Sequence, residues 1–420
     1  MLAAQRYYVF ALAIFASLLS ITFFFFRHDE PVVNERIAKS PYRSSKPSLR
    51  DTITTLFDSI KHDPSVPSYR DPTGRFFVAN QTIWPKPLGK KILIVDIDTR
   101  VPTGENQILN PDTLDFENLD MHGGGLVSNA IINHYMYSII HGYDYKFYQA
   151  QHIPDHHDTW IMPHVFRELI DDYDFVIAMD ADVTIAHLDL PLEWMFNKWG
   201  IEKHTSMALP WDTEEKHGNL SISVDSKGLR VLNTGFVVAQ NSNTTRDLLE
   251  KWRDCTSEER YPGCAQWKEK WSHEQRAFSE YIRYDYNNTP ETIVSIPCDD
   301  AVGWPGFKKD AAGYNDALSD CNGNFVRHYT LGKDQAKTAS SFGVMQLLGQ
   351  VLQRNLLREQ ERVWVKEAEK SREGEVEGEV AGPKGMQSEV KKQEKGEEKA
   401  TGKDDAVPAI LEGMVPATSG

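Results

Sequence analysis

Several absences narrow the field. The 420 residues carry a formal net charge of -15, whereas a chain that grips nucleic-acid phosphates normally presents a basic face. No nucleic-acid partner is therefore expected. Cysteine is scarce: Cys255, Cys264, Cys298 and Cys321 are the only four, and none shows the CxxC spacing of a zinc site. Four cysteines allow three pairings; proximity favours Cys255 with Cys264 and Cys298 with Cys321. No GxSxG occurs anywhere, so His122-Gly123-Gly124-Gly125 lacks the partner of a lipase oxyanion loop and reads as a turn before a helix. Aromatic residues vanish after about Lys366, where Glu, Lys and Gly dominate. Such a composition cannot bury enough apolar surface to fold.

What is present falls into zones. Tyr7 to Phe26 carries no charge and lies between Arg6 and Arg27. As a helix this stretch rises about 30 Å, the thickness of a hydrocarbon core. A cleaved signal peptide would be shorter and end at small residues, whereas this run ends in four consecutive phenylalanines, Phe23 to Phe26. An uncleaved membrane anchor over 7–26 follows, with a short tail at 1–6 and the bulk of the chain in a lumen. Asn80, Asn219, Asn243 and Asn287 each open an acceptor tripeptide for glycosylation, and all lie on the lumenal side. Residues 27–85, rich in Pro, Ser, Arg and Asp, read as a stem. The globular domain is assigned to 86–360 and a charged, disordered tail to 361–420. Near its end Val344, Leu347, Leu348, Val351, Leu352 and Leu356 keep helical spacing, predicting a last amphipathic helix.

Within the domain, apolar runs alternate with helical patterns. Strands are predicted at Lys91–Asp96, Tyr145–Tyr148, Phe175–Asp180, Ser206–Asp212, Arg230–Ala239 and Phe325–Tyr329, that at Arg230–Ala239 being interrupted by the small polar step Asn233-Thr234-Gly235. Helices are predicted around Leu126–Ile140, Met162–Ile170 and Thr245–Trp252, with another opening at Ser272. This alternation indicates an α/β fold with a parallel, doubly wound sheet. The run Phe175-Val176-Ile177-Ala178-Met179 leads directly into Asp180-Ala181-Asp182. Ligands of such sheets sit beyond the carboxyl ends of the strands. Two carboxylates emerging there repel one another unless a cation joins them, and a hard divalent ion is the simplest one. The plainer alternative is that both acids cap the backbone of a turn.

The ordered set of Asp180-Ala181-Asp182, then Asn233-Thr234-Gly235, then His273-Glu274-Gln275, then His328 followed by Gly332-Lys333, resembles glycosyltransferase family 34. That family comprises fungal and plant galactosyl-, mannosyl- and xylosyltransferases. His141-Gly142-Tyr143 before the second strand is similar as well, and the resemblance covers roughly Lys90 to Lys333. It implies a GT-A-type fold and retaining transfer of a hexose or pentose from a UDP- or GDP-sugar to a glycan. It also implies Mn2+ held by Asp182 and His328, with Asp180 on the donor ribose or reaching the ion through water. Gly332 and Lys333 would contact the diphosphate, and Asn233, Thr234 and Gly235 the sugar. Glu274, Gln275 and Asp212 are the candidate catalytic residues. The chain departs from the family at Met162, where a Lys usually follows the Trp160 position.

A lumenal setting and this resemblance together lead to the expectation of a single-pass type II Golgi protein, alone or in a glycosyltransferase complex. A non-catalytic subunit is the rival reading. Asp180-Ala181-Asp182-Val183-Thr184 also fits the DxDxT nucleophile motif of a phosphatase family, with Asp299-Asp300 as a later acidic pair. That motif normally opens its domain, and here much α/β structure precedes it. His152, Asp155, His156, His157 and Asp158 form a metal-like cluster that reads as a solvated loop. Trp194, Trp199, Trp252, Trp267 and Trp271 read as core or rim packing.

Overall fold

The computed structural model describes residues 47–217, 220–286, 291–307 and 319–366. The anchor expected over 7–26, the acceptors Asn219 and Asn287, and the tail beyond 366 lie outside these residues. Among the described residues no helix is long and apolar enough to cross a membrane.

Order begins earlier than the boundary expected at residue 85. Helix α1 (Leu49–Phe57) opens on Ser48, whose hydroxyl accepts from the Asp51 amide while the Asp51 carboxylate accepts from the Ser48 amide. A small hairpin follows, β1 (Ser68–Arg70) against β2 (Phe76–Val78). Phe57, Ile60, Tyr69 and Ala79 are buried in the main core, so much of the expected stem packs on the domain. Elements this short show no sustained periodicity, which is why the sequence reads as irregular there.

The other principal elements, in chain order, are β3 (Ile92–Asp98), α2 (Gly124–His141), β4 (Asp144–Gln149), α3 (Ile161–Leu169), β5 (Phe175–Met179), β6 (Val183–Ile185) and α4 (Leu192–Trp199). Then come β7 (Met207–Pro210), β8 (Phe236–Gln240), α5 (Asn243–Arg253), α6 (His273–Ala277), β9 (Ile293–Ile296), β10 (Val326–His328) and α7 (Lys333–Arg358). Six strands form one sheet in the order β9-β7-β8-β5-β3-β4. Strand β3 runs parallel to β4 and β5, and β9 parallel to β7. Strand β8 runs antiparallel to both neighbours, so the sheet is mostly rather than wholly parallel.

Strand β5 throughout, and β3 over Ile92–Val95, are apolar because both of their faces are covered. Ile92 and Ile94 with Phe175 and Ile177 face one core, and Leu93 and Val95 with Val176 and Ala178 face the other. Gly142 ends α2 at φ 77°, the left-handed conformation that lets the chain turn back into β4. The strand expected over Arg230–Ala239 begins only at Phe236. Asn233, Thr234 and Gly235 leave the ladder to make side-chain contacts of their own. Cys255 is bonded to Cys264, and Cys298 to Cys321.

Candidate active site

The site grows from the end of β5. That strand is buried over its whole length, and the chain turns as it leaves. The Val183 amide donates to the Asp180 carbonyl at 3.0 Å, closing the turn, and the Asp180 amide donates to Gly235 O at 2.9 Å, pinning it to the approach of β8. Strand β6 then pairs antiparallel with β10, setting His328 opposite Val183. As a result His328 Nε2 lies 3.2 Å from Asp182 Oδ1 and 3.7 Å from Asp180 Oδ2. Lys333 Nζ, from the first turn of α7, lies 3.7 Å from Asp182 Oδ2.

Asp180, Asp182 and His328 offer ligand atoms that all lie within 4.8 Å of one another. Adjacent ligands of an octahedral ion with bonds near ~2.1 Å sit about 3 Å apart. The 3.2 and 3.7 Å separations from His328 Nε2 are close to that spacing, so the three residues suit one divalent cation. Two carboxylate oxygens and one imidazole nitrogen are also a suitable donor set for it.

The imidazole is oriented from behind. His328 Nδ1 lies 3.1 Å from Asn233 Oδ1, an oxygen that also accepts from the Gly235 amide at 2.9 Å. The same amide group donates through Nδ2 to Asp212 Oδ1 at 3.1 Å. The network fixes which Asn233 atom is oxygen, so Nδ1 carries a proton and Nε2 is left facing the carboxylates. A Cβ on Gly235 would lie 2.2 Å from His328 Cε1, so only glycine allows this contact.

Electrostatics separates the two acids. Burial pushes the Asp180 carboxyl up, and the neighbouring Asp182 charge adds to the shift. At Asp182 burial works in the same direction but is outweighed by His328, which holds that carboxyl below the usual range. His328 is raised in turn: burial would lower it, and the Asp182 charge prevails. Asp180 keeps 41% of its side chain exposed, against 12% for Asp182, so Asp182 is the more enclosed member.

A second polar layer adjoins the cluster. Gln275 Oε1 accepts from the Thr234 amide at 3.1 Å, and its Nε2 donates to Asp212 Oδ2 at 3.0 Å. Glu274 Oε1 accepts from the Thr234 hydroxyl at 2.9 Å, while its Oε2 is buried without a hydrogen bond. Burial pushes the Glu274 carboxyl up to about 7, and burial also raises Asp212. The candidate catalytic residues thus meet, but in different settings. Asp212 and Gln275 are half-buried, and Glu274 is buried. Gly332 passes close over Trp304, which stacks on Tyr329.

Two contributors escape the sequence motifs. Arg100, just past β3, binds Asp98 at 2.6 Å. Its guanidinium is raised first by Asp98, against burial, and further by Asp182 and Asp180. Its place at the carboxyl end of the strand next to β5 is the signal that could have found it. His134 of α2 lies 2.6 Å from Asp96 Oδ1 and 3.0 Å from the Val183 carbonyl, and Tyr145 donates to the other Asp96 oxygen at 2.6 Å. It therefore braces the backbone just after Asp182. An acid inside the apolar run of β3 was its only trace.

Other candidates go elsewhere. Asp299 binds Asn322 and Asn324, and Asp300 binds Trp199, so neither completes a phosphatase pair with Asp180. His152 pairs with Asp158 at 2.6 Å on the surface. Among the described residues, Glu202, His204 and Glu291 form one further group with metal-like spacing. Trp194, Trp199, Trp252 and Trp267 are buried, whereas Trp271 is 73% exposed. Asn80 and Asn243 are exposed.

No family model matches the chain, and no curated protein matches it in sequence. Among solved structures it is similar to a glycosyltransferase involved in glycosylation of the major capsid of PBCV-1. That match has 11% identity and a TM-score of 0.36, over 60% of this chain and 98% of the other. It is also similar to the galactosyltransferase LgtC bound to donor and acceptor sugar analogs, with 11% identity and a TM-score of 0.33 over 60% and 95% of the two chains. Mouse xyloside xylosyltransferase 1 matches at 10% identity and a TM-score of 0.27 over 42% of this chain, which spans 64% of that protein. At such identities and TM-scores a likeness does not assign chemistry, which has to come from the site.

Proposed function

We propose that the chain is a retaining glycosyltransferase that moves a hexose or pentose from a UDP- or GDP-sugar to a glycan, with Mn2+ at the Asp180/Asp182/His328 cluster. The main support is the convergence of two carboxylates and a correctly oriented imidazole, at 3.2 and 3.7 Å, at the carboxyl end of a buried strand. A divalent cation there supplies Lewis acidity toward a departing nucleoside diphosphate. Asp182, the more enclosed carboxylate, and His328 would hold it directly, with Asp180 on the donor ribose or reaching the ion through water. Lys333 and Arg100 bring further positive charge to the same edge, where the charge of the leaving diphosphate builds.

The acceptor and donor sugars would lie against the wall formed by Asp212, Asn233 and Gln275. Gln275 is held by Thr234 and Asp212, so its amide is fixed rather than free to rotate, and with donor bound it would stand beside the reacting carbon. Glu274 acts through Thr234 as a positioning residue. The setting remains that of a type II Golgi membrane protein anchored through residues 7–26, acting alone or within a glycosyltransferase complex.

Purified full chain, offered a panel of UDP- and GDP-sugars with Mn2+, should release the nucleotide and lose this activity in Asp182→Ala. If no donor is turned over and Asp182→Ala changes nothing in cells, the enzyme reading fails. Release of inorganic phosphate with Mg2+, abolished in Asp180→Asn, would point instead to a phosphatase.

A further inference from the structure

Helix α7 is apolar on two opposite sides. Its inner side, Ala336, Ser340, Val344, Leu347 and Val351, packs on the body of the domain. Its outer side carries Phe342, Met345, Leu352 and Leu356, exposed at 70%, 61%, 52% and 51%. At ~100° per residue the two rows are centred about 160° apart. A surface helix ordinarily has one apolar stripe, and single exposed apolar residues need no explanation. An ordered second row does.

With Gly349 included, the outer row falls at 342, 345, 349, 352 and 356, the alternating three-and-four spacing of a coiled-coil seam. A Cβ on Gly349 would meet nothing within 4 Å. The middle of the row is therefore open to close approach by another backbone.

Charge indicates the occupant. The chain carries a net charge of -15, which sets two copies against each other almost anywhere they touch. Yet no charged residue occurs between Lys337 and Arg354. The positions beside the seam are Gln346, Leu348, Gln353 and Asn355, so two copies meet there without like-charge repulsion. The row is centred on Gly349, with Phe342 and Leu356 seven residues to either side, so an antiparallel crossing there matches one end of the row to the other. A membrane surface would favour basic flanks along the row, and none of these four flanking residues is basic.

We propose that the chain forms a homodimer through antiparallel crossing of two α7 helices at Gly349. The Phe342 and Met345 end of one copy then covers the Leu352 and Leu356 end of the other. This proposal is independent of the activity assigned above.

The test is sedimentation of the full chain, density-matched where detergent is needed, with a protein mass of twice 47.9 kDa expected. Leu352→Glu and Met345→Glu should halve that mass while leaving circular dichroism and thermal unfolding unchanged, because both side chains are exposed. Copies carrying Phe342→Cys should cross-link on oxidation to copies carrying Leu356→Cys, and neither should link to itself. A single-chain mass for the wild type overturns the proposal. So does a dimer that survives Leu352→Glu and shows no link between positions 342 and 356, since it would be held elsewhere. Flotation of a single-chain wild type with anionic vesicles, lost in Leu352→Glu, overturns it in favour of a membrane.

Discussion

Two clusters in this molecule have the same inventory, two carboxylates and one histidine, yet they are built differently. Asp180, Asp182 and His328 come from a strand end and a distant strand, and Asn233, Gly235 and His134 brace them from behind. Glu202, His204 and Glu291 lie on the surface, and each nitrogen of the half-exposed His204 faces a different acid, at 3.5 and 3.3 Å. The first leaves one nitrogen aimed into a shared space. The second uses both nitrogens in surface ion pairs of the sort that contribute little. Residue type therefore says less than what orients the residues.

The largest expected effect tests whether the buried cluster is the working one. Asp182→Ala, or removal of metal with EDTA, should lower nucleotide release by roughly 10³-fold, because a Lewis acid supplies several kcal/mol. Calorimetry with Mn2+ gives a second readout. Next comes the brace. His134→Leu leaves the Asp96 carboxylate buried beside Tyr145 alone, and breaking a buried pair in this way should cost on the order of 3 kcal/mol in urea unfolding. The orientation itself is tested by Gly235→Ala. The new methyl displaces the His328 ring and should weaken Mn2+ binding about 10- to 100-fold, as loss of an outer partner does.

A smaller effect contrasts a buried histidine with the exposed one. His187 is pushed down to about 4, by burial first and Arg327 next. The unfolded chain takes up that proton near ~6.5, before the folded one does. The stability of the folded state is thus complete above the unfolded pKa and falls as pH drops toward 4. His187→Gln should flatten that fall, by on the order of 2 kcal/mol, in thermal unfolding across this pH range. The smallest effect is expected of His204→Ala: no change in Mn2+ stoichiometry and a stability change within about 0.5 kcal/mol. If His204→Ala removes a bound ion and Asp182→Ala does not, the contrast between the clusters is reversed.

Much of this is legible in the sequence. The run from Phe175 to Met179 is apolar at every position because both of its faces are covered, so both the strand and the acids at its end could be read directly. Asn233-Thr234-Gly235 is readable as a site and as a polar interruption of its strand, but its hydrogen-bond partners are not, since they are Gln275 and Glu274, far along the chain. The helix and hairpin between Leu49 and Val78 were missed for a related reason: a few residues such as Phe57 and Tyr69 anchor them to partners the local pattern does not reveal. Arg100 and His134 carry no motif, and only the strand order brings them to Asp180 and Asp182.

The pairing of β6 with β10 has a consequence for how the protein comes into being. Everything up to Gln275 can be synthesised and docked while the carboxylates at the end of β5 still lack their imidazole. His328 and Lys333 leave the ribosome long after Asp180 and Asp182, so the cluster is completed only when β10 and the first turn of α7 have been made. A nascent or truncated polypeptide would present two mutually repelling acids and no third ligand, and metal capture would report that synthesis had reached β10.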